Sequence, residues 1–87
     1  MQPERIVRER ERKDVTGIPT SSWYDLVAAG LAPSAVKLSK YTAGWPYSEL
    51  AALNAARIAG KSEAEIRALV KRLVAARARA FDQFEAA

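Results

Sequence analysis

The sequence predicts a mainly α chain with one small β-hairpin: a winged helix-turn-helix followed by a long C-terminal helix. Three observations carry this. The triplet Gly17-Ile18-Pro19 separates a charged segment from one carrying Trp23, Leu26 and Val27 at offsets of three and four, which is a helix, a tight turn and a second helix. Residues 33–46 exchange that periodicity for alternation between turn residues, the mark of a hairpin. From Ser62 onward neither glycine nor proline interrupts an apolar stripe at helical spacing.

Taken in order, the apolar pair Ile6 and Val7 precedes a charged stretch that Gly17 ends, and the first helix is expected over Arg8 to Thr16. Its apolar face is thin, since Val15 is its one large aliphatic, so Ile6, Val7 and Ile18 must pack from its flanks. The second helix is expected to start at residue 19 or 20, bury Trp23, Leu26 and Val27, and stop at Gly30. Val36 and Leu38 alternate with Lys37, the chain turns through Ser39, Lys40 and Tyr41, and Thr42 to Trp45 return, with Leu38 and Trp45 assigned to the core. Pro46 opens a third helix whose Leu50, Leu53, Arg57 and Ile58 fall on or beside one stripe, closed by Gly60. Ser62 and Glu65 have capping-box spacing, so the last helix starts afresh there and runs to about Phe84.

Composition narrows the chemistry. A chain of 87 residues makes one small core, burying roughly 60 to 65 per cent of the surface its unfolded form exposes. With no cysteine and no histidine there is no disulfide, no zinc ligand set and no usual general base, and no glycine loop for phosphate is present. An enzyme is therefore the least favoured class, and no cofactor or metal is expected. Fourteen basic against ten acidic residues leave a net charge of +4, which favours a polyanionic partner. No run of 18 apolar residues occurs and the N-terminal stretch is too charged for a signal peptide, so a cytoplasmic, nucleoid-associated protein is expected, with no membrane and no small-molecule substrate.

In a helix-turn-helix the second helix enters the major groove, which makes Thr20, Ser21, Ser22, Tyr24 and Asp25 the candidate DNA-reading residues, with Lys37, Lys40 and Tyr41 on the wing. The competing reading of Thr20, Ser21 and Ser22 is that they only cap the helix, and that of the wing lysines is ordinary solvation. Over residues 61–79, Lys61, Arg67, Lys71, Arg72, Arg77 and Arg79 oppose only Glu63 and Glu65, which reads either as a solvated basic face or as a second contact to the DNA backbone. The distal end outruns a core this small, so Leu73, Phe81 and Phe84 are the candidate contacts with another chain. The division expected is 1–60 for the DNA-binding unit and 61–87 for the helical extension.

The runs TGIPTSSWYDLVAAGLAP and VKLSKYTAGWPYSEL resemble the AlpA-type phage regulators and the related small excisionases, a branch of MerR-like winged helices. The resemblance is carried by Thr16, Gly17, Ser21, Ser22, Tyr24, Gly30, Pro33, Leu38, Ser39, Gly44, Trp45, Ser48 and Glu49, and covers residues 5 to about 58. It implies a recombination directionality factor: a protein that binds repeated sites as neighbours, bends double-stranded DNA and assists a site-specific integrase. It equally implies a transcriptional regulator of a mobile element. A protein-interaction adaptor built on the long helix is the third expectation, and it predicts no salt-sensitive DNA binding. The sequence departs from the family pattern at Ala32, where an aromatic is usual, at Pro19, where serine is common, and at Asp25 and Thr42, where arginine is common. The last two changes imply an altered sequence preference or weaker binding by a single protomer.

Overall fold

The computed structural model describes residues 4–86; residues 1–3 and 87, the outer limits of the two expected units, lie outside the described residues. The elements are β1 (Ile6–Arg8), α1 (Glu9–Thr16), α2 (Thr20–Ala28), β2 (Val36–Ser39), β3 (Thr42–Pro46), α3 (Tyr47–Ile58) and α4 (Glu63–Ala86). This is a winged helix-turn-helix with a long C-terminal helix. No helix among the described residues is long and apolar enough to cross a membrane.

Ile6 and Val7 are expected only to flank the first helix, which starts at Glu9 rather than at Arg8. They form a strand, and β1 joins the hairpin in an antiparallel sheet of order β1-β3-β2. Both are β-branched, and alternation sends Val7 into the core opposite Trp45 while Ile6 lies over the other face. Gly44 makes this pairing possible, because a Cβ there would meet Ile6 Cγ2 and the Val7 carbonyl oxygen, both at 2.8 Å. Arg8 ends the strand and stands as the extended residue before α1, and Gly17 closes α1 in the left-handed region at φ 71°.

The core joins Val7, Trp23, Leu31, Ala32, Trp45, Leu50, Leu53, Ile66 and Val70. Trp23 and Trp45 meet edge to face at 5.6 Å, and Trp45 Nε1 donates to the Pro33 carbonyl at 2.9 Å, so the wing is fixed to the exit of α2. One expected core contact is corrected. Leu38 is 44% exposed because the β2–β3 register slips between Lys37 and Ser39, and the bulge turns Leu38 out. Ile58, expected on or beside the stripe of α3, lies beside it: it is 87% exposed and, at about 100° per residue, well around the helix from Leu50 and Leu53.

The C-terminal helix starts at the expected capping box. The Glu65 amide donates to Ser62 Oγ at 3.2 Å, and the Glu65 carboxylate accepts from the Ser62 amide, which holds that carboxyl below its ordinary range. Ile66 and Val70 then enter the core that the winged domain supplies. Ala32 lines a groove with Val70 and Val74 of α4. Farther along, Arg77 donates to both Glu49 carboxylate oxygens, at 2.7 and 2.8 Å, and to the Ser34 carbonyl at 2.8 Å.

Candidate nucleic-acid interface

The angle of 100° per residue fixes what α2 presents. With Trp23 wholly buried, Ser21 and Asp25 point almost directly away from the core, flanked by Tyr24 and Ser22, and all four are exposed. Thr20 lies toward the inner side, and its hydroxyl donates to Glu9 Oε1 at 3.0 Å. No side chain caps the helix, whose preceding residue is Pro19. The hydroxyls of Ser21 and Ser22 are therefore not used for capping, and the first-turn N–H groups keep the partial positive charge of a helix N-terminus. Asp25 has no ion-pair partner among the described residues, so pairing with a neighbouring arginine does not account for it.

What aims α2 is Arg12, a residue that sequence reading left inside a charged run. Its side chain is fully buried, with the guanidinium 4.8 Å from the Trp23 ring centre. Nε and Nη2 donate to the Glu9 carboxylate, and Nη1 donates to Thr16 Oγ1 and the Ile18 carbonyl. One side chain thus binds helix α1, the turn and the anchoring tryptophan of α2 together. Arg12 first, and then the Thr20 hydroxyl, hold the Glu9 carboxyl below its ordinary range against the opposing effect of burial. The available signal was the spacing: Arg12 sits three residues after Glu9 and four before Thr16, on one side of α1.

The wing stands beside this helix. Lys40 and Tyr41 form its two-residue turn, closed by Ser39 opposite Thr42, with the Lys40 ammonium 5.4 Å from the Tyr41 ring centre. Lys37 pairs with Ala43 and so shares its sheet face. Between α2 and the wing opens a cleft of about 610 Å³, into which Tyr24, Tyr41, Ala43 and Trp45 converge with Arg8, Glu9, Arg10 and Glu11 from the β1–α1 corner. The structure thus brings Tyr24 and Tyr41 to one cleft, and places Ser21, Ser22 and Asp25 on the adjoining helix face.

The other candidate residues are remote from this surface in the chain and lie along α4. Leu73 is half-buried, whereas Phe81 and Phe84 are 62% and 78% exposed. The basic residues of α4 are partly committed: besides Arg77, Arg67 donates to the Ala29 carbonyl at 3.0 Å and pairs with Glu63, and just before the helix Lys61 pairs with Glu65.

The family model described as Prophage CP4-57 regulatory protein (AlpA) matches residues 5–58, from the first strand through the third helix. No curated protein and no solved structure matches the chain.

Proposed function

Because the chain belongs to the family of the prophage CP4-57 regulatory protein AlpA, we propose that it is a sequence-specific DNA-binding protein of a mobile element that acts as an excisionase. In this reading it occupies repeated sites beside an integrated element, bends the double helix there, and so directs a site-specific integrase toward excision. The protein catalyses nothing itself; strand breakage and rejoining belong to the integrase.

The observation that carries the reading is the outward face of α2. Serines that cap nothing, an exposed tyrosine and an unpaired aspartate stand on a helix fixed from behind by a buried arginine and a tryptophan pair. A surface helix held this rigidly, with short polar groups at its start, suits contact with base edges. Asp25 is matched to the amino group of a cytosine. Phe81 and Phe84 support binding of protomers side by side along DNA, since burying each against a neighbour is worth about 1.5 to 3 kcal/mol before the cost of association.

A regulator of transcription on the same fold is the second reading, favoured by the word "regulatory" in the family's description. The two are separated by footprinting the protein on the element's attachment region and on its promoters, together with an excision assay with and without the protein. Protection of the attachment site and a rise in excision are expected. Promoter protection with unchanged excision would replace the excisionase by the regulator.

A further inference from the structure

The segment RIVRERERKD interleaves five basic with three acidic side chains in sequence, and folding divides that charge unequally. Glu9 is held by Arg12 and Thr20, and Glu11 by Arg5. Arg5 and Arg12 are not among the residues lining the cleft. Both acids at the β1–α1 corner are thus neutralised by arginines outside it, while Arg8 and Arg10 line the cleft, are exposed, and have no ion-pair partner among the described residues. The opposite walls supply no acid and carry Tyr24 on α2 and Tyr41 on the wing.

We infer that this cleft takes one strand of the DNA phosphodiester backbone, with Arg8 and Arg10 meeting its phosphates and the Tyr24 and Tyr41 hydroxyls as neutral donors on either wall. The inference rests on the DNA-binding reading above and adds the course of the strand and two residues that reading does not use. When a helix occupies the major groove and a wing reaches the next groove, the strand separating the two grooves has to pass between helix and wing. That space here is the cleft, and its free charge is cationic. An extended polyanion also suits donors spread over β1, α1, α2 and the β2–β3 turn, and a volume of about 610 Å³, better than a single small anion does. Arginine forks match phosphate oxygens, and the contact reads no sequence.

The test compares duplex binding over a salt series for the full chain, for Arg8→Gln with Arg10→Gln, for Arg8→Lys with Arg10→Lys, and for Lys13→Gln. Lys13 is on the same helix but lines no part of the cleft. Each lost phosphate contact lowers the salt slope by about 0.9, so the loss of affinity between about 50 and 200 mM salt should shrink by about tenfold in the double glutamine variant. The weakening should be equal on specific and unrelated duplexes, the lysine pair should restore most of the slope, and Lys13→Gln should change it far less. Circular dichroism checks that each variant is folded, and Tyr41→Phe, which leaves the charge intact, should weaken all duplexes modestly. An unchanged slope in the glutamine pair, or an equal change in Lys13→Gln, would overturn the inference while leaving DNA binding standing. Competition by inorganic phosphate where chloride of equal ionic strength has no effect would assign the cleft to a small anion and overturn it also. If the unaltered chain binds no duplex at low salt, the DNA reading fails first and this inference with it.

Discussion

Helices α1 and α4 are both rich in charge, and the structure uses their charges in opposite ways. In sequence the two look alike: residues 4–16 hold five basic and four acidic side chains, and α4 holds the same numbers. Once folded, three of the four acids near α1 are engaged, Asp14 being the exception: Glu4 receives the Ser48 amide and hydroxyl at the start of α3, Glu9 holds Arg12, and Glu11 holds Arg5. Arg8 and Arg10 are left free. In α4 it is two cations that are drawn into the fold, Arg77 on Glu49 and the Ser34 carbonyl and Arg67 on the Ala29 carbonyl, while Lys71, Arg72 and Arg79 have no ion-pair partner among the described residues. The difference teaches that a segment's net charge says little about which charges a partner can reach; the pairing decides it.

The comparison breaks most visibly at the two internal arginines. Arg12→Ala removes a buried guanidinium that serves Glu9, Thr16, Ile18 and the Trp23 ring, and should cost about 3 kcal/mol in urea unfolding. Arg77→Ala leaves the buried Glu49 carboxylate without its partner and should cost about 2 kcal/mol. Because Arg77 is spent inside the fold, the salt slope of DNA binding should stay unchanged in that variant, measured where it remains folded; a lower slope would return α4 to the DNA surface.

Smaller effects sharpen the contrast between the two ends of α4. The double variant Phe81→Ala, Phe84→Ala should change unfolding stability by less than about 0.5 kcal/mol, as expected for exposed positions. It should nevertheless abolish cooperative filling of DNA with several sites, read from titrations on single-site and multi-site duplexes. The smallest effect is in acid. The folded-state pKa of Glu9 is lowered, so its contribution is present above the ordinary carboxylate value of 4.5 and is lost as pH falls through the folded value. Melting temperatures of the protein and of Glu9→Gln should therefore converge as pH drops below 4.5, and a constant gap would contradict the Glu9–Arg12 pairing.

Much of the fold was legible because local signals agree. Gly17, Gly30 and Gly60 mark three helix ends with positive φ, Ser62 and Glu65 form the expected box, and Trp23 and Tyr24 face inward and outward as the helical angle requires. Strand β1 was missed because a three-residue strand has too short an alternation to register, and its pairing depends on a distant glycine. Leu38 was misplaced because a bulge is set by the whole ladder. In the candidate site, the residues of α2 and the wing follow from periodicity and turn position. Arg8, Arg10 and Arg12 do not, since neighbouring Arg and Glu residues admit many pairings and only tertiary packing selects one.

The central claim is that the outward face of α2 reads base edges, and selecting preferred sites from a randomised duplex pool tests it most directly. The full chain should enrich one sequence; Ser21→Ala, Ser22→Ala and Asp25→Asn should each lose about 1 to 3 kcal/mol on that sequence or change the base preferred at one position, and Tyr24→Phe, whose hydroxyl faces the backbone, should weaken all sequences alike. A pool enriched identically by the full chain and the Ser21, Ser22 and Asp25 variants would contradict the claim and move the reading surface off α2.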